Sequence, residues 1–181
     1  MTVEVQNPVR ANVLSDVFAQ LIRISLSERI VEALTAAQVT YAQFEALRFV
    51  QTHPHSTVGD LSEGLRISYP SATNMVSRLC RKGLIQKRGI RSDRRIVRLA
   101  LTPEGCKLVD EVRDERGRRI GEIMNAMRAR DREHFLMALD NFIIAAGRVG
   151  LADPTDLCLS CGSGGFGDCT LHHIGAEHKC R

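Results

Sequence analysis

The chain has 181 residues, enough for one well-packed core with a small appendage, and its net charge of +4 is modest. It contains no run of roughly 20 apolar residues that could span a bilayer, and its amino terminus lacks the basic-then-apolar layout of a secretory signal. We therefore expect a cytoplasmic protein without a membrane partner, in a reducing environment where six cysteines favour thiol or metal chemistry over disulfides. Aromatic residues make up only 4% of the chain, which argues against single-strand binding by base stacking.

The amino-terminal quarter of the chain predicts an arm followed by two helices. Residues 1–12 are predicted to form a flexible arm, because Pro8 discourages a helix across them. Apolar residues then recur at helical spacing over residues 13–34 and predict a helix with one broad apolar face. Thr40 is a suitable N-cap for a second helix over residues 41–51.

A helix-turn-helix followed by a β-hairpin is predicted between residues 56 and 105. A short amphipathic segment over 58–65 and a turn precede a helix over 69–82, which Gly83 ends because glycine tolerates a positive φ. Two β-prone runs follow at 84–87 and 96–101, separated by a polar loop rich in arginine. The predicted fold class is therefore mainly α with a small β-wing.

The helix over 69–82 has one apolar and one polar face. Ala72, Met75, Val76 and Leu79 recur at helical spacing and are predicted to face a core. The opposite face carries short hydrogen-bonding side chains, which suit the base edges and phosphates of a major groove. The candidate DNA-binding residues on this helix and its cap are Ser68, Ser71, Thr73, Asn74, Ser77, Arg78 and Arg81.

Positive charge is concentrated around the predicted hairpin. Eight basic residues and a single acid, Asp93, lie between positions 81 and 98. Because the helix before them has the side chains of a groove reader, this concentration favours nucleic acid as a partner over a solvated basic hairpin. The basic residues are Arg81, Lys82, Lys87, Arg88, Arg91, Arg94, Arg95 and Arg98.

The joint spacing of these residues resembles the MarR family of transcriptional regulators. The matching positions are Leu61, Leu65, Ile67, Ser68, Ser71, Thr73, Val76, Leu79, Lys82, Gly83, Leu84 and Ile85, then Asp93 and Arg95, then Leu101, Thr102 and Gly105. The resemblance implies a homodimer whose recognition helices enter successive major grooves of double-stranded DNA. It also implies that the wing approaches the minor groove through Arg91, Arg94 and Arg95, with Asp93 orienting Arg95, or Arg94 if the register differs by one.

Two more helices are predicted after the hairpin. Thr102 and Pro103 supply the cap and first turn of a helix that runs to 127, and another follows over 131–148. Their apolar faces, with that of 13–34, exceed what a small DNA-binding lobe over 41–101 can cover, so 13–34 and 103–148 are predicted to form a dimerisation region. The family resemblance implies a cleft between these parts for a small aromatic effector.

Residues 151–181 depart from the family pattern and contain four of the six cysteines, spaced Cys158-x2-Cys161-x7-Cys169-x10-Cys180. The Cys-x2-Cys spacing lets one turn present two sulfurs to one ion. Three interpretations stay open. Zinc would be held by Cys158, Cys161 and Cys169 with His172 or Cys180; an iron–sulfur cluster would use all four cysteines; or the thiols are free.

The sequence thus predicts a transcriptional regulator, not an enzyme, that binds an inverted repeat as a homodimer. A small aromatic ligand, the state of the cysteine-rich tail, or both would control it, and family habits suggest aromatic-compound catabolism, efflux or stress genes, repressed or activated. One alternative is a thiol or metal redox enzyme using Cys158 and Cys161. Another is a zinc-stapled adaptor that binds a protein through its tail.

Overall fold

The structure is a computed structural model that describes residues 7–36, 38–89 and 97–151. Within these ranges it is mainly helical with a small two-stranded antiparallel wing, which confirms the predicted fold class. None of the described helices is both long and apolar enough to cross a membrane. The elements in chain order are α1 Pro8–Gln20, a π-helical segment Leu21–Glu28, α2 Arg29–Thr35, α3 Tyr41–Thr52, α4 Val58–Gly64, α5 Tyr69–Arg81, β1 Ile85–Gly89, β2 Val97–Leu101, α6 Pro103–Ala126 and α7 Ala129–Arg148.

The amino-terminal helix begins earlier than predicted. Pro8 occupies the first turn of α1, where its missing N–H costs nothing, and the Asn7 side chain caps the helix by accepting from the Arg10 backbone N–H at 2.9 Å. The prediction of an arm over 1–12 is therefore wrong for residues 8–12, because Pro8 starts a helix here and does not interrupt one.

The predicted helix over 13–34 is also not uniform. Its middle, Leu21–Glu28, is π-helical, and α2 follows directly and ends at Ala36 with φ of 47°. A π-helix accommodates an extra residue per turn, which rotates the following residues around the axis. Ile30 and Val31 of α2 are fully buried, whereas no residue of α1 is buried.

The core lies where α2, α3, α4, α5, the hairpin and α6 meet. Its fully buried side chains include Ile30, Leu47 and Leu61. On α5, Ala72, Val76 and Leu79 are buried and Met75 packs partly buried against the same cluster, so the predicted apolar face is confirmed. Thr40 and Gln43 form a capping box at the start of α3, as the Thr40 N-cap predicted.

The hairpin is fastened to the core through one of its two faces. Strand β1 pairs with β2 from Ile85 opposite Leu101 to Gly89 opposite Val97. Ile85 and Leu99 are each 2% exposed and belong to the core cluster. The Leu99 N–H also donates to the Ser56 carbonyl at 2.7 Å, which joins β2 to the loop before α4.

A closely packed junction of hydrogen bonds connects the end of α5, the start of the wing and the start of α6. Gly83, with φ of 71°, ends α5, and the Thr102 hydroxyl donates to its carbonyl at 2.6 Å. The Thr102 N–H donates to the Leu84 carbonyl at 3.1 Å, and the Thr102 hydroxyl accepts from the Gly105 N–H. A Cβ on Gly105 would lie 2.2 Å from the Leu84 carbonyl oxygen, so only glycine permits this approach.

Replacing Gly105 by Ala should lower the free energy of unfolding by about 1–3 kcal/mol, because the new methyl group collides with backbone. Gly117→Ala is the matched control: the same substitution in the same helix meets open space and should raise stability by about 0.5–1 kcal/mol. Urea unfolding of both variants measures the difference. Equal stabilities for the two variants would show that the junction tolerates a side chain.

Candidate nucleic-acid interface

The solvent face of α5 collects every candidate side chain predicted on that helix. Ser71, Thr73, Asn74, Ser77, Arg78 and Arg81 are all exposed, as is Ser68 at the N-cap. Helix α5 contains no acidic residue, and its two arginines lie in its last turn. The result is a polar, positively charged ridge backed by the buried face of the same helix.

The hydroxyl groups at the start of this ridge make hydrogen bonds within α5 and its N-cap. The Ser68 Oγ accepts from the Ser71 N–H at 3.3 Å and lies 2.7 Å from the Ser71 Oγ. The Thr73 hydroxyl donates to the Tyr69 carbonyl at 2.9 Å. These contacts fix the side chains while leaving acceptor capacity on each oxygen.

The rest of the ridge has no partner within the described part of the chain. The Asn74, Ser77, Arg78 and Arg81 side chains make no hydrogen bond or ion pair with the described residues. Their donors and acceptors are therefore available to a ligand, and two of the four carry a positive charge.

Lys82, which the sequence groups with the basic residues of the wing, has a structural role. Its ammonium donates to the Gln38 carbonyl and to the Gln43 Oε1, the latter at 2.8 Å. Gln43 is buried, and its side chain also accepts from the Thr40 N–H. Lys82 thus ties the end of α5 to the start of α3, a use that a count of charges cannot reveal.

The remaining predicted site residues lie outside the described ranges. These are Arg91, Asp93, Arg94 and Arg95 of the wing and Cys158, Cys161, Cys169, Cys180 and His172 of the tail. Among the residues that the structure does describe, no group of three or more His, Cys, Asp or Glu side chains could hold a metal. The orienting role of Asp93 and the tail ligands stay predictions.

Residues 37–96 match the model of the MarR family, and this segment runs from the approach to α3 to the hairpin. Residues 37–96 of this chain are thus similar to the MarR family, and we refer to them as the MarR segment. It is 30% identical over 81 residues to an uncharacterized HTH-type transcriptional regulator of Bacillus subtilis, YsmB, across 45% of this chain. The chain spans only 56% to 60% of the length of the curated relatives that it matches.

Solved structures share the architecture of this MarR segment and the helices around it. RV1404 from Mycobacterium tuberculosis has a TM-score of 0.69 at 24% identity, over 77% of this chain and 94% of that one. FabT from Streptococcus pneumoniae, solved in complex with DNA, has a TM-score of 0.62 at 18% identity, over 77% and 96%. At these identities the likeness shows the fold.

Two features in the MarR segment and the hairpin could not be predicted from the sequence. Tyr69, at the first position of α5, leaves 59% of its surface exposed beside the polar ridge. Arg88 of β1 lies directly opposite Arg98 of β2. The pair could have been found only by fixing the hairpin register, because nine residues separate the two arginines in the chain.

Polar contacts hold α6 against the amino-terminal helices beside the MarR segment. Arg119 donates to the Ser25 carbonyl of the π-helical segment at 3.2 Å and to Glu115 at 2.8 Å. Hydrogen bonds from Arg118 and Arg119 lower the pKa of Glu115 to about 2, so the carboxylate is ionised at neutral pH. Burial raises the pKa of Tyr41, whose hydroxyl also contacts Ser27 of the π-helical segment.

Proposed function

We propose that this protein is a homodimeric transcriptional regulator that binds double-stranded DNA at an inverted repeat. The observation that carries the proposal is the ridge of α5, where Asn74, Ser77, Arg78 and Arg81 are exposed and lack partners among the described residues. A buried face immobilises the same helix, so the ridge is already ordered before DNA arrives.

The chemistry of the ridge fits a major groove. Asn74 offers both a donor and an acceptor to a base edge, and the two arginines offer guanidinium forks to guanine or phosphate. The wing arginines, Arg91, Arg94 and Arg95, would add contacts at the minor groove, with Asp93 orienting one of them. The match to the MarR family model and the FabT–DNA complex support this arrangement for the shared fold.

The helices outside the DNA-binding lobe support a second copy of this chain as partner. No residue of α1 or α7 is buried, although both helices are rich in apolar side chains. On α7, Leu136, Met137 and Phe142 are 54%, 59% and 69% exposed. Covering these apolar surfaces with a partner would stabilise the complex by about 25 cal/mol for each Å² removed from water.

Control by two inputs belongs to the same proposal. A small aromatic effector would bind between the dimer helices and the DNA-binding lobe, as the family resemblance implies, and the target genes would serve aromatic-compound catabolism, efflux or stress. The Cys158-x2-Cys161 pair, with Cys169 and Cys180 or His172, supports a zinc or iron–sulfur site in the tail as the second input.

The protein should bind the duplex upstream of its own coding region at low ionic strength, and this binding should weaken steeply as salt rises, with preferred half-sites about 10 bp apart.

Asn74→Ala should lose about 1–3 kcal/mol of discrimination between the preferred site and a scrambled one, because Asn74 reads a base edge. Fluorescence anisotropy on both duplexes measures this, with Asn141→Ala, an exposed asparagine of α7, as control. Unchanged discrimination in Asn74→Ala would remove α5 from the interface.

Phe142→Asp should raise the dimer dissociation constant by about 100-fold to 10,000-fold, because burial of one aromatic side chain, about 1.5–3 kcal/mol, is lost in each copy. Sedimentation velocity over a range of protein concentrations measures this. Asn141→Asp introduces the same charge at the neighbouring exposed position and should leave the dimer intact. A wild-type chain that sediments as a monomer would contradict the dimer directly.

Anaerobically purified protein should contain zinc or iron, and its absorption spectrum separates the two because an iron–sulfur cluster is coloured. The double substitution of Cys158 and Cys161 by Ser should abolish the metal content, whereas Cys106→Ser, which removes an exposed thiol of α6, should not change it. Metal-free wild-type protein would leave the tail cysteines as free thiols.

A further inference from the structure

The hairpin register places two arginines directly opposite each other, near the end of the paired strands that is farther from the core. Arg88 of β1 is the direct partner of Arg98 of β2. Side chains on directly opposite residues of an antiparallel pair start from Cβ atoms about 4.5–5.5 Å apart and project from the same side. The two guanidinium groups can therefore reach the same small ligand.

The burial pattern shows which side of the hairpin this is. Ile85 and Leu99 are buried in the core, and alternate residues of a strand point to opposite faces. Arg88 and Arg98 therefore lie on the outer face, where Arg88 is exposed and Arg98 is half-buried. The adjacent pair on this face, Gln86 opposite Ala100, is neutral.

Neither arginine is neutralised by the described part of the chain. Arg88 and Arg98 form no ion pair with any described residue, and no acidic residue belongs to β1 or β2. Like charges directly opposite one another destabilise a sheet, so the free hairpin carries an unfavourable interaction that an anion would relieve. Two guanidinium forks around one phosphate can make several charge-assisted hydrogen bonds.

We propose that Arg88 and Arg98, on the outer face of the hairpin, together clamp one backbone phosphate of the bound DNA. This inference rests on the proposed DNA-binding function and adds a contact distinct from the base-reading ridge of α5 and from the contacts proposed for Arg91, Arg94 and Arg95. A phosphate contact carries no sequence information, so the clamp contributes to affinity on every duplex equally.

The test compares Arg88→Gln, Arg98→Gln and the double variant with Arg130→Gln, which removes the same charge from an exposed position on α7. Anisotropy titrations over a range of salt use two probes: the duplex upstream of this chain's coding region and a random-sequence duplex. Thermal unfolding of the free variants reports the repulsion separately, because it needs no DNA.

The clamp predicts a loss of affinity of about 10-fold or more for each single variant, equal on the two duplexes. The double variant should flatten the dependence of log K on log salt by about 2 for the dimer, which is one phosphate per copy. Its unfolding temperature without DNA should stay the same or rise, because a like-charge pair has been removed.

Affinity and salt dependence equal to those of Arg130→Gln would overturn the clamp while leaving the proposed function intact. A loss confined to the upstream duplex would also overturn it, since that pattern indicates a base contact. A lowered unfolding temperature in the free protein would assign the arginines a structural role instead. Wild-type protein that ignores both duplexes at low salt would refute the proposed function and the clamp with it.

Discussion

The contact between the first turn of α6 and the backbone at Leu84 is the constraint on which the arrangement of this molecule depends. Thr102 bonds to the carbonyls of Gly83 and Leu84, and Gly105 lets the helix approach without a side chain between them. Two short segments, 83–84 and 102–105, therefore meet where α5 ends, the wing begins and ends, and the long helix α6 begins. This junction therefore couples the start of α6 to the end of α5 and to the hairpin.

Helix α5 is held in place by its buried face, whereas its polar face is exposed to solvent. Val76 and Leu79 pack into the core, and Lys82 ties the end of α5 to Gln38 and Gln43. These contacts use only the buried face of α5 and Lys82, the first residue after the helix. The polar ridge therefore stays free to bind a ligand. The hairpin follows the same division, with Leu99 on its buried face and Arg88 exposed on its outer face. A surface that is preorganised to bind DNA requires a well-packed support and hydrogen-bond donors without partners in the protein.

Sequence periodicity predicted what depends on local patterns and missed what depends on tertiary contacts. The faces of α5, the Thr40 cap and the positive φ of Gly83 follow from spacing and residue type, and the structure confirms them. The role of Lys82 does not, since its partners Gln38 and Gln43 are distant in sequence. The helical spacing over 13–34 also did not distinguish the π-helical segment from an α-helix. The start of α1 was misjudged for a local reason, because a proline that breaks a helix interior also suits a first turn.

Hydrogen exchange of the protein with and without the upstream duplex tests the central claim most directly, because it reports which backbone segments a ligand stabilises. The account predicts slower exchange in α5 and in both strands of the hairpin when the duplex is saturating, while exchange in α7 stays the same. Protection confined to other elements, with α5 exchanging at its free rate on saturating DNA, would contradict it.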